Sequence, residues 1–383
     1  MKQNYRIIIS DAETRKAFDI LSIITFSFND IPIVAGDIEG TKASKRHLQR
    51  LFHCDVATLH ISDENLFIKD LKAISDTFCN DKLIFLPMEE KTVALFYAYL
   101  DKYGKGNFVF LLPSEHVFNT LRNKGELNSY CLANGLSAPE CYNVSQLPEL
   151  TADKYPILLK PCVGSGSEGQ YRLYKPEDLT NGIKTAITLK PYLAQELIGN
   201  GHDVKGAFYL YDENGFVDAY THERIRTSPP TGGVTVLSKL TYDKVIIEEG
   251  KKILDKIGWT GLIMLEFLFD EKKGQYKVIE ANPRAWGSIM LAEYGGSHLL
   301  TNYVRRCIGE PTFFERKNGD CYIRWFFPVD VLNYIKHMGR VKGFWNFRNT
   351  CFINWSYASK ASAIRFNLWN LFKLKNLKRF LRK

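Results

Sequence analysis

Cysteine is scarce in this chain, with eight residues in 383 and no Cys-x-x-Cys pair. That content argues against a disulfide scaffold, a structural zinc knuckle and a thioredoxin-like motif. Hydrophobic residues make up 45% and charged residues 24% of the chain, which are ordinary values for folded proteins and exclude wholesale disorder. Because a domain usually holds roughly 100–200 residues, the length suggests two or three domains. The composition predicts a reduced, intracellular, mixed α/β protein.

Long apolar runs are also absent. The sequence contains no stretch of about 18 consecutive apolar residues, the length that a membrane-spanning helix needs. The N-terminus lacks the apolar region and the small-residue cleavage site of a signal peptide. We therefore expect a cytoplasmic protein.

Acidic residues are missing from the C-terminal end. The chain carries 51 basic and 42 acidic residues, but residues 360–383 contain eight basic residues and no acid, which leaves the remainder near +1. The excess charge is thus local, and we expect no nucleic-acid partner. On a helical wheel one side of this tail is apolar, with Leu374, Leu377, Phe380 and Leu381. The tail either lies peripherally on the inner face of an anionic membrane, with Trp369 and Phe372 as anchors, or packs back on the protein.

Two common nucleotide-binding signatures are absent as well. No Gly-x-Gly-x-x-Gly follows the first apolar run, and no Gly-x-x-x-x-Gly-Lys-Ser/Thr occurs. Strand-like runs separated by 10–25 residues occur at 5–10, 31–35, 56–61, 83–87 and 108–113. This spacing predicts an open, parallel α/β domain, followed by a helix-like stretch at 115–134.

A glycine-rich loop at 162–169 separates two predicted strands, 155–161 and 170–174. Its glycines and serines offer backbone N–H groups and hydroxyls that could close over a polyphosphate, although a simple turn is the alternative. Lys160 precedes the loop and Lys124 lies 36 residues upstream of Lys160, so two ammonium groups could neutralise phosphate charge.

A pair of acidic residues is the strongest local signal. Residues 262–270 and 275–282 read as two strands joined by a three-residue loop that ends at a left-handed Gly274. That register places Glu266 opposite Glu280, and like charges opposed in a sheet are destabilising. With the amide oxygen of Asn282 they form a hard oxygen cluster suited to Mg²⁺ that is held with substrate phosphates.

Arginines near this cluster are candidate anion ligands. Arg284 follows Asn282 by two residues and could clamp a phosphoryl or acyl-phosphate oxygen. Upstream, Arg224 and Arg226 precede a loop that contains Gly232 and Gly233. This loop is equally well explained as a lid that meets a substrate carboxylate and as a solvated turn.

Taken in order, these residues resemble the ATP-grasp superfamily of carboxylate–amine (or thiol) ligases across residues 110–310. The motifs that carry the resemblance are Lys124, Leu158-Leu159-Lys160-Pro161, the loop 164–169, Gln195-Glu196-Leu197-Ile198-Gly199, Glu266 and Glu280-Ala281-Asn282-Pro283-Arg284. Within the superfamily the chain looks most like the predicted carboligase branch, which includes D-aspartate ligases, and less like carbamoyl-phosphate-synthase-type grasp domains. One departure is Asn123, where many members have aspartate.

The resemblance implies an α/β protein in which an N-terminal open parallel domain (1–113) precedes a two-lobed ATP-grasp domain (114–310). The small lobe would span about 114–195 and the large lobe about 196–310, with a C-terminal extension at 311–383. It implies the following ATP-binding residues: Lys124, Lys160, Gly164, Ser165, Gly166, Ser167, Gly169, Glu196, Leu197 and Asp203. Glu266, Glu280 and Asn282 would hold Mg²⁺ (or Mn²⁺), Arg284 and Lys160 would be catalytic, and Arg224, Arg226, Gly232 and Gly233 would face the substrate.

The implied reaction joins a small carboxylate, for example an amino acid, to an amine through an acyl-phosphate, with ATP and Mg²⁺. Water would have to be excluded meanwhile, which a closing loop achieves. A membrane-bound tail would favour an amine from cell-envelope or surface-glycan synthesis. The alternative is a non-catalytic ATP-binding protein that recruits partners or a membrane through its basic tail.

Overall fold

The computed structural model describes residues 3–164, 168–199, 203–228 and 234–372. The strands are β1 Tyr5–Ile9, β2 Ile33–Asp37, β3 Asp55–Thr58, β4 Lys82–Leu86, β5 Phe108–Val109, β6 Cys141–Tyr142, β7 Ile157–Pro161, β8 Tyr171–Leu173, β9 Tyr192–Glu196, β10 Lys205–Asp212, β11 Gly215–Ser228, β12 Val234–Thr241, β13 Gly261–Asp270, β14 Gln275–Asn282, β15 Tyr322–Arg324 and β16 Thr350–Phe352. The helices are α1 Arg15–Ser27, α2 Lys42–Phe52, α3 Glu64–Thr77, α4 Glu90–Tyr103, α5 Glu115–Arg122, α6 Lys124–Ala133, α7 Asn181–Leu189, α8 Lys244–Ile257, α9 Met290–Gly295, α10 Leu299–Cys307, α11 Val331–Lys336 and α12 Lys360–Phe372.

These elements form two units. The N-terminal unit comprises Met1–Leu111, Arg224–Leu240 and Arg284–Lys383, and the central unit comprises Leu112–Glu223 and Thr241–Pro283. The division of the chain at 113 and 310 stays a prediction.

The N-terminal unit contains the predicted parallel sheet, in the order β3-β2-β1-β4-β5. The three isoleucines Ile7, Ile8 and Ile9 are completely buried because β1 is the central strand, paired with β2 and β4. All five predicted strands are confirmed within a few residues of their expected ends. The order reverses beside β1, and the carboxyl ends of parallel strands at such a point form a crevice suited to ligands.

The predicted helix over 115–134 is two helices, so that expectation is wrong in detail. α5 ends at Arg122, and Asn123 has an extended backbone that begins α6. Its side-chain oxygen accepts hydrogen bonds from the backbone N–H groups of Gly125 (3.0 Å) and Glu126 (3.3 Å). An N-cap of this kind satisfies amide groups that have no partner within the helix. The break therefore places Lys124 at the first position of α6.

Two sheets build the central unit. One has the order β6-β9-β7-β8, and the predicted strand–loop–strand around the glycine-rich segment is its β7 and β8. Its core consists of Leu147, Ile157, Leu159, Leu173, Leu179, Tyr192 and Ala194. In the other, β14, β13, β10 and β11 are successive antiparallel strands.

The β13–β14 hairpin confirms the predicted pairing of Glu266 with Glu280, but by a different route. Asp270 pairs with Gln275, so the loop has four residues rather than three, and Gly274 is left-handed as expected (φ 63°). The register then shifts between Glu266 and Phe267, which leaves Ile279 without a partner residue on β13. Such a β-bulge adds one residue to one strand. The four-residue loop shifts the register of the hairpin by one residue relative to the prediction, and the bulge shifts it back, so Glu266 still pairs with Glu280.

The C-terminal segment returns to the N-terminal unit. Phe366 of α12 is buried and stacks on Phe18 of α1 at 4.0 Å between ring centroids. Trp369 stacks on His47 of α2 at 4.4 Å, so its ring is packed against the protein rather than presented as an anchor. These contacts show α12 packed on the N-terminal unit, whereas the side chain of Phe372 and the apolar side of the tail at 374–381 lie outside the part of the chain that is described, so membrane contact by the tail stays a prediction. Within the described ranges, no helix is long and apolar enough to cross a membrane.

Candidate active site

Lys124 lies at the entrance of the glycine-rich loop in the central unit. Its side chain is 7% exposed, and its Nζ donates to the carbonyl of Gly164 (2.6 Å) and lies 3.2 Å from Oε1 of Glu280. Its backbone N–H donates to the carbonyl of Cys162 (2.9 Å). The ammonium group thus joins the start of the loop to one of the two paired acids.

Lys160 is the second buried cation of this site. It lies at the end of β7, and its Nζ donates to the carbonyl of Ile279 at 2.7 Å. Ile279 is the bulged residue, whose backbone has no opposite partner residue on β13. Burial lowers the pKa of Lys160 to about 8, an effect that Glu280 opposes and Lys124 reinforces. Glu266 also opposes it more weakly, so Lys160 senses both acids.

The bulge determines which residues of β14 share a face. Side chains two apart on a strand point the same way, and directly paired residues lie on one face. Glu266 and Leu268 share a face of β13, and their partners are Glu280 and Lys277. Lys277 and Glu280 therefore lie on the same face although they are three positions apart. Asn282 shares that face as well, because it is two residues beyond Glu280.

The predicted metal ligands fit a hard divalent cation. Within the part of the chain that the structure describes, no three His, Cys, Asp or Glu side chains are grouped so that they could hold a metal. The predicted set is instead two carboxylates and one amide, Glu266, Glu280 and Asn282, which lie on one face of the hairpin. Mg²⁺ is typically held by one or two carboxylates together with phosphate oxygens and water, so a set of this size is compatible with it.

Lys277 forms a buried charge cluster with the strand that carries the predicted adenine hinge. Its side chain is 1% exposed and makes ion pairs with Glu196 at the end of β9 and with Asp270 on β13, the latter at 2.7 Å. Burial alone would lower the pKa of Lys277, but the two carboxylates outweigh it and raise that pKa. Glu196 also accepts from the backbone N–H of Glu140 (2.7 Å). Lys277 thereby ties β9 to the hairpin.

The hinge residues are placed by this sheet. The N–H of Glu196 donates to the carbonyl of Glu140, and that of Leu197 donates to the carbonyl of Pro156. Asp203 is exposed two residues before β10. Their roles in adenine and ribose binding stay predictions.

Arg284 belongs to the N-terminal unit, near the carboxyl ends of β1 and β4. Its Nε lies 3.5 Å from Glu90 and 3.7 Å from Glu89. Lys16, in the first turn of α1, pairs with Glu89 (2.9 Å) and donates to the carbonyl of Ala285 (3.2 Å). Burial, and next the charge of Arg284, lower the pKa of Lys16 to about 8. Two cations therefore adjoin at this edge of the parallel sheet.

The central unit has a cavity of about 380 Å³, and the N-terminal unit has one of about 220 Å³. The smaller one is lined by Lys16, Arg15 and Asp19 on α1, and also by Gly287, three residues after Arg284. Burial raises the pKa of Asp19 to about 8. The smaller cavity exceeds the 150 Å³ or so that suffices for benzene in an engineered protein cavity.

Of the remaining predicted substrate residues, the structure describes only the two arginines on β11. Arg226 pairs with the fully buried Asp330 (2.6 Å) and donates to the carbonyl of Lys342 (3.2 Å). Arg224 precedes it on β11 and is partly buried. Ser165, Gly166, Ser167, Gly232 and Gly233 lie outside the described residues, and Gly164 and Gly169 have positive φ values of 136° and 73°.

Lys277, Lys16 and Glu89 were not singled out from the sequence. In the register predicted from the sequence, Lys277 lies on the face of β14 opposite to Glu280, where a lysine would be solvated. The bulge at Ile279, which was not predicted, places Lys277 on the same face as Glu280. Lys16 and Glu89 lie on α1 and just before α4, and no local pattern indicates that they meet.

Comparisons with solved structures identify the architecture. The biotin carboxylase domain of the Hydrogenobacter thermophilus 2-oxoglutarate carboxylase, solved with MgADP and bicarbonate, has a TM-score of 0.64 at 15% identity, over 84% of this chain and 74% of that one. The Staphylococcus aureus N5-carboxyaminoimidazole synthetase, complexed with ADP, has a TM-score of 0.63 at 15% identity, over 88% of this chain and 87% of that one. The Bacillus licheniformis L-amino acid ligase has a TM-score of 0.58 at 15% identity, over 80% of this chain and 74% of that one. The chain has the ATP-grasp fold.

Sequence comparison reaches less far. No protein-family model matches the chain. A curated protein similar to part of this chain is the alpha subunit of mitochondrial methylcrotonoyl-CoA carboxylase from Oryza sativa subsp. japonica. It is 23% identical over 159 residues, which are 36% of this chain and only 21% of the relative.

Proposed function

We propose that the protein is an ATP- and Mg²⁺-dependent ligase that forms a C–N bond between a small carboxylate and an amine. The observation that carries the proposal is the opposed pair of acids, Glu266 and Glu280, beside two buried lysines. Opposed like charges are unfavourable in a sheet, and the cation that would compensate them also neutralises phosphate. Solved ATP-grasp proteins crystallised with ADP support the nucleotide.

Each predicted site residue of the central unit has a defined role in this proposal. Lys124 and Lys160 bind phosphate oxygens, and the loop at 164–169 covers them with backbone N–H groups. Glu266, Glu280 and Asn282 hold Mg²⁺, which when bound supplies positive charge at the phosphate oxygens. Glu196 and Leu197 present the adenine hinge, and Asp203 serves the ribose.

The reaction has two steps. An oxygen of the substrate carboxylate attacks the γ-phosphorus of ATP, the bond to the β–γ bridging oxygen breaks, and ADP leaves as acyl-phosphate forms. The amine then attacks the acyl carbon, phosphate leaves, and the proton of the amine passes to solvent or to a phosphate oxygen. The lysines stabilise the charge that develops on the transferred phosphoryl group.

Arg284, with Lys16 next to it, is assigned to bind the substrate carboxylate and the acyl-phosphate that forms from it. Lys16 lines a cavity of the N-terminal unit, and the charge of Arg284 acts on the pKa of Lys16, so the two cations are neighbours. Small ligands bind at the carboxyl edge of the parallel sheet in open α/β folds. Arg224, Arg226 and the loop with Gly232 and Gly233 are assigned to the substrate on the sequence alone. A substrate from cell-envelope or surface-glycan synthesis is the finer part of the proposal and rests on the basic tail.

The direct test is ADP formation from ATP and Mg²⁺, screened against pools of amino acids and cell-envelope amines. Glu280→Gln should lower the stimulated turnover at least about a hundredfold, because electrostatic stabilisation of this kind is worth 10²–10³ in rate. Glu271→Gln is the matched control, since Glu271 is an exposed residue in the turn of the same hairpin. Equal losses in both variants, with intact folding, would contradict the assignment.

The second candidate, a non-catalytic ATP-binding protein, gives a different outcome in the same experiment. ATP would bind with micromolar affinity, yet no pool of carboxylate and amine would stimulate ADP release. The buried lysines and the acid pair favour the ligase, because binding alone does not need two opposed carboxylates.

A further inference from the structure

An exposed apolar surface covers residues 331–349 of the N-terminal unit. Its large side chains and their exposed fractions are Leu332 43%, Ile335 63%, Met338 79%, Trp345 69% and Phe347 39%. Single exposed apolar residues are ordinary, but a cluster of large ones marks an interaction surface. We refer to this cluster as the 331–349 surface.

The members of the 331–349 surface are held next to one another. Leu332 and Ile335 are three positions apart on α11, so they lie on one face of the helix. Tyr334, on the same helix, stacks on Phe344 at 4.0 Å and meets the ring of Trp345 at 5.7 Å. The helix and the loop that follows it therefore form one continuous surface.

A buried charge cluster fixes this loop from beneath. Asp330 accepts from Nε of Arg324 (2.6 Å) and from Nη2 of Arg226 (2.6 Å). The same guanidinium groups then reach the loop, because Nη1 of Arg324 donates to the carbonyl of Phe344 (2.7 Å) and Nη1 of Arg226 to that of Lys342 (3.2 Å). The loop is pinned at two backbone positions, so the exposed side chains are presented by built structure.

The charge of this surface has one sign. Its exposed charged residues are Lys336, Arg340, Lys342 and Arg348, and the segment 331–349 contains no acid. The acid-free stretch continues to the end of the chain. From 331 to 383 there are twelve basic residues and no aspartate or glutamate.

We propose that the 331–349 surface docks the protein on an anionic lipid bilayer. Exposed Ile335, Met338 and Trp345 insert between lipid head groups, where tryptophan and apolar side chains are favoured. The surrounding lysines and arginines are attracted by the negative surface potential of anionic lipids. Stable peripheral binding takes two signals, and this surface supplies both apolar insertion and basic charge.

The test is sedimentation of the full-length protein with vesicles of phosphatidylcholine and phosphatidylglycerol (70:30) and with vesicles of phosphatidylcholine alone. We expect binding to the anionic vesicles that falls as salt is raised. The triple variant Ile335→Ser, Met338→Ser, Trp345→Ser should lower the partition coefficient at least about tenfold, since each side chain contributes apolar insertion. Arg340→Gln with Lys342→Gln should lower it about tenfold, because each basic residue near an anionic surface contributes measurably.

Two controls separate this surface from other features. Leu189→Ser and Phe26→Ser remove apolar side chains that are 80% and 73% exposed elsewhere, and both should bind like the wild type. A full-length variant with Lys373, Lys375 and Lys378 changed to Gln tests the tail, and the triple variant should still weaken binding in that background. Circular dichroism should show wild-type unfolding for the variants of the 331–349 surface and for Leu189→Ser and Phe26→Ser, because the side chains altered in them are exposed.

Three results would overturn the proposal. Wild-type binding by the triple variant would show that the surface does not contact lipid. Equal binding to both vesicle types, insensitive to salt, would remove the charge complementarity. Self-association that the triple variant abolishes, without any vesicle binding, would assign the surface to a second copy of the chain. Nucleotide turnover should be unchanged throughout, so the proposal fails or stands independently of the ligase activity.

Discussion

The proposed contact between the buried Lys160 and phosphate should make nucleotide binding depend on pH. Burial lowers the pKa of Lys160 from 10.5 to about 8, so its ammonium group loses its proton as the pH rises through 8. Bound phosphate raises this pKa again, because it favours the charged form. Between the two pKa values, nucleotide binding takes up a proton and affinity falls with rising pH.

We therefore expect ATP affinity to be constant below about pH 7.5 and to fall above pH 8, with a limiting slope of about tenfold per pH unit. Isothermal titration at pH 7, 8 and 9 and constant ionic strength measures the effect. Lys160→Met keeps the aliphatic stem but has no titrating group, so its weaker binding should show a flatter profile. A profile of wild-type steepness in Lys160→Met would mean that another group titrates.

The linkage also fixes the sign of a stability effect. The folded protein without nucleotide binds fewer protons at Lys160 than the unfolded chain between about pH 8 and pH 10.5. The free energy of unfolding increases with pH wherever the unfolded state binds more protons. The destabilisation that the buried Lys160 causes therefore becomes smaller as the pH rises across that window.

At the scale of elements, Lys277 joins β9 to the β13–β14 hairpin through Glu196 and Asp270. Removing one member of a buried charge cluster leaves the others without compensation. The carboxylate of Asp270 keeps its hydrogen bonds from the backbone N–H groups of Lys272 and Lys273, which limits the loss.

Lys277→Met should accordingly lower the free energy of unfolding by about 2 kcal/mol, somewhat less than the full cost of breaking a buried ion pair. Chemical denaturation monitored by circular dichroism gives this value. Lys252→Met is the control, because Lys252 pairs with Glu249 on an exposed helix surface and should change stability by less than about 0.5 kcal/mol. Similar losses in the two variants would refute the role given to Lys277.

The elements that the sequence could predict are those with a strong local pattern. The apolar runs of β1 to β5, the strands on either side of the glycine-rich loop and the hairpin with Gly274 all have short-range signals, and the structure confirms them. The break at Asn123 was not predicted from the sequence. The Asn123 side chain interrupts the helix by accepting hydrogen bonds from the backbone N–H groups of Gly125 and Glu126, and an asparagine can also lie within a helix without forming such bonds. The bulge at Ile279 has no residue signature, so the face of Lys277 could not be derived.

The candidate site follows the same division. The acid pair and the two lysines were predicted from motifs, and within the central unit the structure brings Lys124 to Glu280. Lys16 and Glu89, which adjoin Arg284, come from positions distant in the chain. Only the parallel packing of β1 beside β4 brings them together, and that is a property of the fold rather than of a local segment.

Across the whole molecule, all eight cysteines are free thiols. Burial raises the pKa of Cys54, Cys131, Cys141 and Cys351 to about 12, which leaves almost no thiolate at neutral pH. Cys79 is exposed, in contrast to the others, which are half-buried or buried.

Titration of the native protein with a chromogenic disulfide at pH 8 should therefore show one fast thiol per chain. Cys79→Ser should remove the fast phase, and the other seven thiols should react only when the chain unfolds. Added reductant should leave the thermal unfolding temperature unchanged, since the described fold contains no disulfide. A fast phase of two or more thiols would contradict the burial of the rest.

The bulge at Ile279 divides β14 into two halves with opposite parity. Up to Val278, odd-numbered positions point to the side of the acid pair, and from Glu280 onward even-numbered positions do so. Deletion of this one residue would leave Val278 directly before Glu280, and these two already pair with the consecutive residues Phe267 and Glu266, so Lys277 and Glu280 would stay on one face as positions two apart. The strand would instead lose the backbone carbonyl that accepts from Nζ of Lys160. Substitution at position 279 keeps that carbonyl and deletion removes it, so in related chains we expect the length of this segment to be kept more strictly than its residues.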